Sequence, residues 1–193
     1  IFSEKVITFV ITYYAESVSL FSDIYMPALR YYYSDTISRF LTKNTEEIIG
    51  KLTLASQHDI NDDTSNSWVE EIETLKSVLT PYKERGSVYF EYNIPRMGRR
   101  ADVILVIDEL IFILEFKTSD SKFTHDAITQ VWDYALDLKN FQEGSLDRII
   151  VPILVAPSEK DRNCSFTLNH FEDNVYEPLR TNANRLSEAF SIS

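Results

Sequence analysis

One stretch constrains the fold more than any other: RRADVILVIDELIFILEFKTS, from Arg99 to Ser119. Its two apolar runs, Val103 to Ile107 and Ile111 to Leu114, match strands buried on both faces. The polar pair Asp108 and Glu109 between them has the length of a two-residue hairpin turn. Pairing around that turn puts Asp102 directly opposite Glu115, on one face of the sheet and with Cβ atoms ~5 Å apart. Lys117, two residues beyond Glu115, points to the same side.

Charges at the ends of such strands need a physical reason. Two carboxylates this close and partly desolvated repel or share a proton unless a cation lies between them. Hard oxygen ligands suit Mg²⁺ or Mn²⁺, which keep bound water available for chemistry. The ammonium of Lys117 is placed to hold or deprotonate an attacking water, or to offset charge developing on a phosphate. The bland alternative is an ion-pair network that serves structure alone.

Upstream, YYYSDTISRFL reads as a short helix capped by Ser34 or Asp35, and NTEEIIGKLTL as a second helix capped by Asn44, with Glu47 three residues on. NDDTSNS reads as a loop feeding a third helix, SWVEEIETLKSVLT, in which Ser67 and Glu70 form a capping box and Pro81 ends the run. Trp68, Ile72, Leu75 and Leu79 make its apolar stripe. Glu71 falls on that stripe while Glu73 faces elsewhere, which makes Glu71 a candidate additional metal or water ligand. A Glu at the stripe's edge reaching solvent is the alternative.

Strands SVYFEYNI, ADVILVI and IFILEFK follow, then a helix from Thr124 to Phe141 and a strand in RIIVPILVA. On that helix Gln130 and Tyr134 are four apart and stack side by side. The expected fold is α/β, a mixed central sheet flanked by helices in the order helix, three strands, helix, strand. The tail NHFEDNVYEPLRTNANRLSEAF is expected to be helical in part.

An apolar content of 44% over 193 residues supports one core, with no repeat or linker to divide it. Residues 31–193 are assigned to that domain and 1–30 to a segment of open role. Glu16 and Asp23 interrupt the apolar run from Val6 to Leu29, so no membrane span is expected. With 19 Lys plus Arg against 30 Asp plus Glu, the net charge of −11 opposes long-range attraction to a polyanion and argues against a free-standing nucleic-acid clamp. Arg96, Arg99 and Arg100 form the only basic cluster near the proposed metal. Phosphate contact is their natural use, and simple neutralisation of an acidic surface is the alternative. A single cysteine, Cys164, excludes an intrachain disulfide, and His58, His125 and His170 make no zinc-ligand spacing. Both fit a reducing, cytoplasmic setting.

Asp102, then twelve residues, then Glu115-x-Lys117, followed by a helix carrying Gln130-x-x-x-Tyr134, resembles the PD-(D/E)XK nuclease superfamily in its RecB-like branch. RRAD stands in for the P-D element, so its proline is absent. More closely, YYYSDTISRFL, SWVEEIETLK, VYFEYNIPRMGRRAD, LEFK and QVWDYALDLKNF are similar to the N-terminal nuclease-like domain of bacterial Schlafen-type superfamily 1 DNA/RNA helicases. The resemblance implies a restriction-endonuclease-like core with metal held by Asp102, Glu115 and the backbone carbonyl of Phe116. It implies Lys117 as the catalytic lysine and Glu71 as the upstream helical glutamate, with Glu91 as the alternative. Gln130 and Tyr134 correspond to the helix motif that contacts substrate or supports the site. A helicase domain or subunit is the implied partner; no G-x-x-x-x-G-K-[ST] loop occurs here, so no ATPase is assigned to this chain.

The expected function is Mg²⁺- or Mn²⁺-dependent hydrolysis of phosphodiester bonds in DNA, in preference to RNA. The alternative, of a different class, is a silent nuclease fold that binds nucleic acid or scaffolds a helicase or defence complex. The net charge favours the second, and the intact Asp102, Glu115 and Lys117 favour the first.

Overall fold

The computed structural model describes residues 30–56, 62–96, 98–117, 122–169 and 173–191. Residues 1–29, including the apolar run from Val6, lie outside the described residues, as do His58 and His170. In chain order the elements are β1 (Tyr33–Thr36), α1 (Ile37–Thr42), α2 (Thr45–Ala55), α3 (Asp62–Val78), β2 (Gly86–Asn93), β3 (Arg100–Ile107), β4 (Leu110–Phe116), α4 (His125–Phe141), β5 (Ile149–Val155), β6 (Leu179–Thr181) and α5 (Leu186–Phe190). The strands make one mixed sheet in the order β1-β2-β3-β4-β5-β6. Pairs from β1 to β4 are antiparallel, and β4-β5 and β5-β6 are parallel. The change of sense follows from the connections: β3 and β4 are joined by the tight turn at Asp108, whereas β4 returns to β5 through α4, the crossover that a parallel neighbour requires.

Both central strands are buried along nearly their whole length, as their unbroken apolar runs predict. On one face, Val103, Leu105, Ile107, Phe112 and Leu114 pack against Trp68, Ile72, Leu75 and Leu79 of and just after α3. On the other, Ile104, Ile111 and Ile113 pack against Ala127, Val131, Ala135 and Leu138 of α4. Each Val, Leu, Ile or Phe among them contributes roughly 1.5–3 kcal/mol through burial. Gly86 opens β2 where a Cβ would collide with the Val106 carbonyl, so only glycine allows this approach of β2 to β3. No helix among the described residues is long and apolar enough to cross a membrane.

Several local expectations are corrected. Ser34 and Asp35 do not cap a helix: they lie in β1, whose short, half-polar sequence hides its pairing with β2, and the cap of α1 is Thr36, which accepts from the Arg39 N–H. The α3 helix starts at Asp62, so most of NDDTSNS is helical and the capping box is absent. Ser67 sits inside the helix, its hydroxyl turned back to the Asp63 carbonyl, and Glu70 has no capping role. The tail contributes a strand, β6, as well as the short α5. Asn44 does cap α2, and Thr124 caps α4.

Candidate functional site

The hairpin register is the expected one. Val103 opposes Leu114 and Ile107 opposes Leu110, which carries Asp102 to the place opposite Glu115. There the ladder stops. The N–H of Lys117 is bonded to β5 through the Val155 carbonyl, so by alternation the N–H of Phe116 points toward β3. It donates to Asp102 Oδ2 at 2.6 Å, a side chain taking the place of backbone pairing. The group of Phe116 that engages Asp102 is thus its N–H.

Glu115 lies on the α4 face, only 5% exposed. Its Oε1 accepts from Lys117 Nζ at 2.9 Å and from Gln130 Nε2 at 2.7 Å. Gln130 also donates to the Tyr134 hydroxyl at 2.8 Å and accepts from Lys117 through its Oε1 at 3.3 Å. One amide therefore orients the carboxylate, the ammonium and the phenol together. The four-residue spacing that stacks Gln130 on Tyr134 also directs both toward β4, and Tyr134 is buried rather than part of a solvated face.

Two further carboxylates arrive from the α3 side. Glu71, 5% exposed, is carried inward by the stripe of Trp68, Ile72 and Leu75, which removes the reading that it reaches solvent. Glu91 lies between Phe90 and Tyr92, whose partners Val103 and Ala101 flank Asp102. Its backbone has φ 53°, a left-handed conformation that costs a non-glycine residue, and its Oε1 accepts from Trp68 Nε1 at 2.8 Å. A buried indole N–H needs an acceptor, and that requirement is the sequence signal by which the pairing could have been anticipated.

Electrostatics bind the four into one group. Burial first, then the charges of Asp102, Glu91 and Glu115, push the Glu71 carboxyl well above the usual carboxylate range. Burial and Glu115 do the same to Asp102 against the opposing Phe116 N–H. Glu115 is also raised, burial outweighing Lys117, and Glu91 is raised by burial while Trp68 and Arg100 temper it. Burial and the nearby Glu115 raise the Tyr134 phenol.

Glu71 Oε2 and Glu115 Oε2 are buried with no hydrogen-bond partner. Orphaned buried carboxylate oxygens are the kind of donor a hard divalent cation uses, so the residues fit Mg²⁺ or Mn²⁺ by their chemistry. In the arrangement described, Lys117 occupies the other oxygen of Glu115, and among the described residues no group of three His, Cys, Asp or Glu side chains is drawn together as a ready metal cage.

Arg96, Arg99 and Arg100 are exposed around the β2–β3 loop. Arg100 lies over the Tyr32 ring at 4.5 Å and its charge reaches Glu91, while the charge of Arg99 reaches Tyr134. Arg96 instead lies over the Phe141 ring at 4.4 Å, at the far end of α4. Cys164 is free, as expected. Compared with family models, curated proteins and solved structures, the chain matches none.

Proposed function

We propose that this domain is a Mg²⁺- or Mn²⁺-dependent nuclease that hydrolyses phosphodiester bonds in DNA, in preference to RNA, on a restriction-endonuclease-like core. The observation that carries the reading is the buried, unpartnered oxygen of Glu115 beside a lysine held by both Glu115 and Gln130, together with a second buried, unpartnered carboxylate oxygen on Glu71. A buried cluster of this kind is costly unless a cation or a reaction uses it. The order helix, three strands, helix, strand agrees with the RecB-like nuclease resemblance.

Glu71, Asp102 and Glu115 would hold the cation, and the Phe116 carbonyl is the remaining ligand that the resemblance implies. The bound cation supplies a nucleophilic water at neutral pH and neutralises charge on the phosphate. The Lys117 ammonium, held by Glu115 and Gln130, would act on an attacking water or on the phosphate oxygens. Gln130, fixed by Tyr134, keeps Glu115 and Lys117 in one geometry. Arg96, Arg99 and Arg100 around the β2–β3 loop contact substrate phosphates. A helicase domain or subunit is the proposed partner, and a cytoplasmic location the proposed setting.

A second reading, a silent module that binds nucleic acid or scaffolds such a partner, is favoured by the occupation of Glu115 by Lys117 and by the net charge of −11. Incubating the chain with single- and double-stranded DNA and RNA separates the two. The nuclease reading expects cleavage in Mg²⁺ or Mn²⁺ and none in EDTA. Binding without cleavage in either metal would leave the module.

A further inference from the structure

The tryptophan in the buried stripe of α3 carries a polar atom that packing does not need. Trp68 is 2% exposed and lies with Ile72, Leu75 and Leu79, a place where phenylalanine or leucine would supply apolar surface without an N–H to satisfy. Its N–H is matched by Glu91 Oε1 at 2.8 Å. A carboxylate is a costly acceptor for that purpose, because burying a charge is far more expensive than burying a carbonyl or an amide. Serving the indole is therefore a poor reason for Glu91, whereas holding Glu91 is a good reason for the indole.

The backbone of β2 supports that direction. Val88 and Phe90 pack on the α3 side of the sheet and Tyr89 on the α4 side, so strict alternation would send Glu91 toward α4 and Tyr92 back toward α3. Instead Tyr92 and its partner Ala101 pack on the α4 side, and Glu91 reaches Trp68 on α3. The reversal falls at Glu91 itself, where φ is 53°. No residue is inserted: the pairs Phe90 with Val103 and Tyr92 with Ala101 keep one register, which leaves Glu91 across from Asp102. Left-handed backbone is costly for a residue with a Cβ, and what it sets here is the direction of one carboxylate. On α3, Glu71 is three residues beyond Trp68 and so lies on the same face of the helix. The helix thus delivers two carboxylates, Glu71 directly and Glu91 through the indole, and the charge of Glu91 reaches Glu71, Asp102 and Glu115.

We infer that Trp68 is a positioning residue of the carboxylate cluster: its indole N–H holds Glu91 on the α3 side of the sheet, so that Glu91 joins Glu71, Asp102 and Glu115 in meeting the cation. The inference rests on the cation-binding part of the proposed function and not on cleavage.

Mn²⁺ binding to the full chain, followed by the paramagnetic resonance of the free ion, tests it without reference to activity. Trp68→Phe keeps an aromatic ring in the stripe and removes the N–H. It should weaken Mn²⁺ binding about 10-fold or more, the usual loss when a residue that orients a metal-binding group is removed. Glu91→Gln leaves the indole an acceptor, so the stripe stays intact, and should weaken binding at least as much. The double variant should bind no more weakly than Glu91→Gln alone, since Trp68 acts through Glu91. Ile72→Val trims the same stripe without touching a polar atom and should leave Mn²⁺ affinity unchanged, which separates positioning from packing. In a Trp132→Phe chain, where Trp68 is the one remaining indole, its emission should change when Mg²⁺ is added, and Glu91→Gln should remove that change. Wild-type Mn²⁺ affinity in Trp68→Phe, or losses that add in the double variant, overturns the positioning role even if the chain cleaves. A Trp68-dependent Mn²⁺ site in a chain that never cleaves supports it and removes the nuclease reading instead. Wild type that binds no Mn²⁺ overturns both.

Discussion

Lysine meets a carboxylate in two partly buried places in this molecule, with opposite results. At β1, Lys43 Nζ lies 2.6 Å from Asp35, and at the end of β4, Lys117 Nζ lies 2.9 Å from Glu115. Burial opposes the charge on Asp35, but Lys43, the Thr36 N–H and the Tyr33 hydroxyl together hold it below the usual carboxylate range. The adjacent Tyr33 phenol is pushed up to about 12, by burial and then by Asp35. Glu115 has a lysine and the Gln130 amide, yet burial still raises it, helped by Glu91. One cluster is neutralised and finished. The other gathers more buried carboxylates than its lysine can offset, and that surplus is what the proposed cation would meet.

The largest expected effect breaks the comparison at its lysines. Lys117→Ala leaves every proposed metal carboxylate and the strand pairing in place, so cleavage should fall by ~10² or more while nucleic-acid affinity survives. Lys43→Ala removes an equally close partner from Asp35 and should leave cleavage unchanged. Rates measured by gel in Mn²⁺ decide the matter. Equal rates for wild type and Lys117→Ala would transfer the chemistry to another group.

A smaller effect concerns metal and pH. Glu71, Asp102, Glu91 and Glu115 all have raised folded values, so their contribution to stability is fully present below the ordinary carboxylate range and is lost as pH rises through the raised values. In EDTA, the melting temperature should fall across that interval. Mg²⁺ or Mn²⁺ should remove the fall, because its ligands are the deprotonated forms, with a gain of about 2.7 kcal/mol at 100 times the dissociation constant. Asp102→Asn should abolish the metal response, and Glu115→Gln should do likewise. A response that persists in Asp102→Asn moves the site elsewhere.

What sequence could reveal of this contrast followed from periodicity. The period of two along β3 and β4, with a two-residue turn, was enough to bring Asp102 opposite Glu115, and the period of 3.6 put Glu71 on the buried stripe of α3. Gln130 and Tyr134 were legible for the same reason. What stayed hidden depended on partners far apart in the chain. β1 is only four residues long and half polar, and it becomes a strand because β2 supplies its hydrogen bonds. Serine and aspartate at Ser34, Asp35 and Ser67 imitate caps where tertiary pairing or helix continuation prevails. Nothing local announces that Glu91 adopts a positive φ, and although the Trp68 indole calls for an acceptor, that need alone does not single out a residue 23 positions on.

The smallest effect is expected at the finished pair, and its sign sharpens the comparison. The folded value of Asp35 is depressed, so the stability it contributes is present above the ordinary carboxylate range and lost as pH falls, the reverse of the site carboxylates. Asp35→Asn keeps the shape and removes the charge. It should cost no more than ~1 kcal/mol near neutral pH, the usual scale of a single partly solvated ion pair, or roughly 2–4 °C in melting temperature. Because the Thr36 N–H can still donate to an amide oxygen at the Oδ1 position, and the Tyr33 hydroxyl can accept from an amide nitrogen at the Oδ2 position, the loss should lie at the low end of that range. The difference between wild type and Asp35→Asn should shrink as pH is lowered toward the folded value of Asp35, whereas Glu71→Gln, measured in EDTA, should become relatively more stable as pH is raised. Melting curves of the two variants across pH would show slopes of opposite sign. Slopes of the same sign would mean that the carboxylates of α3 and β3 are already neutralised by the fold, and that no surplus charge remains for a cation to meet.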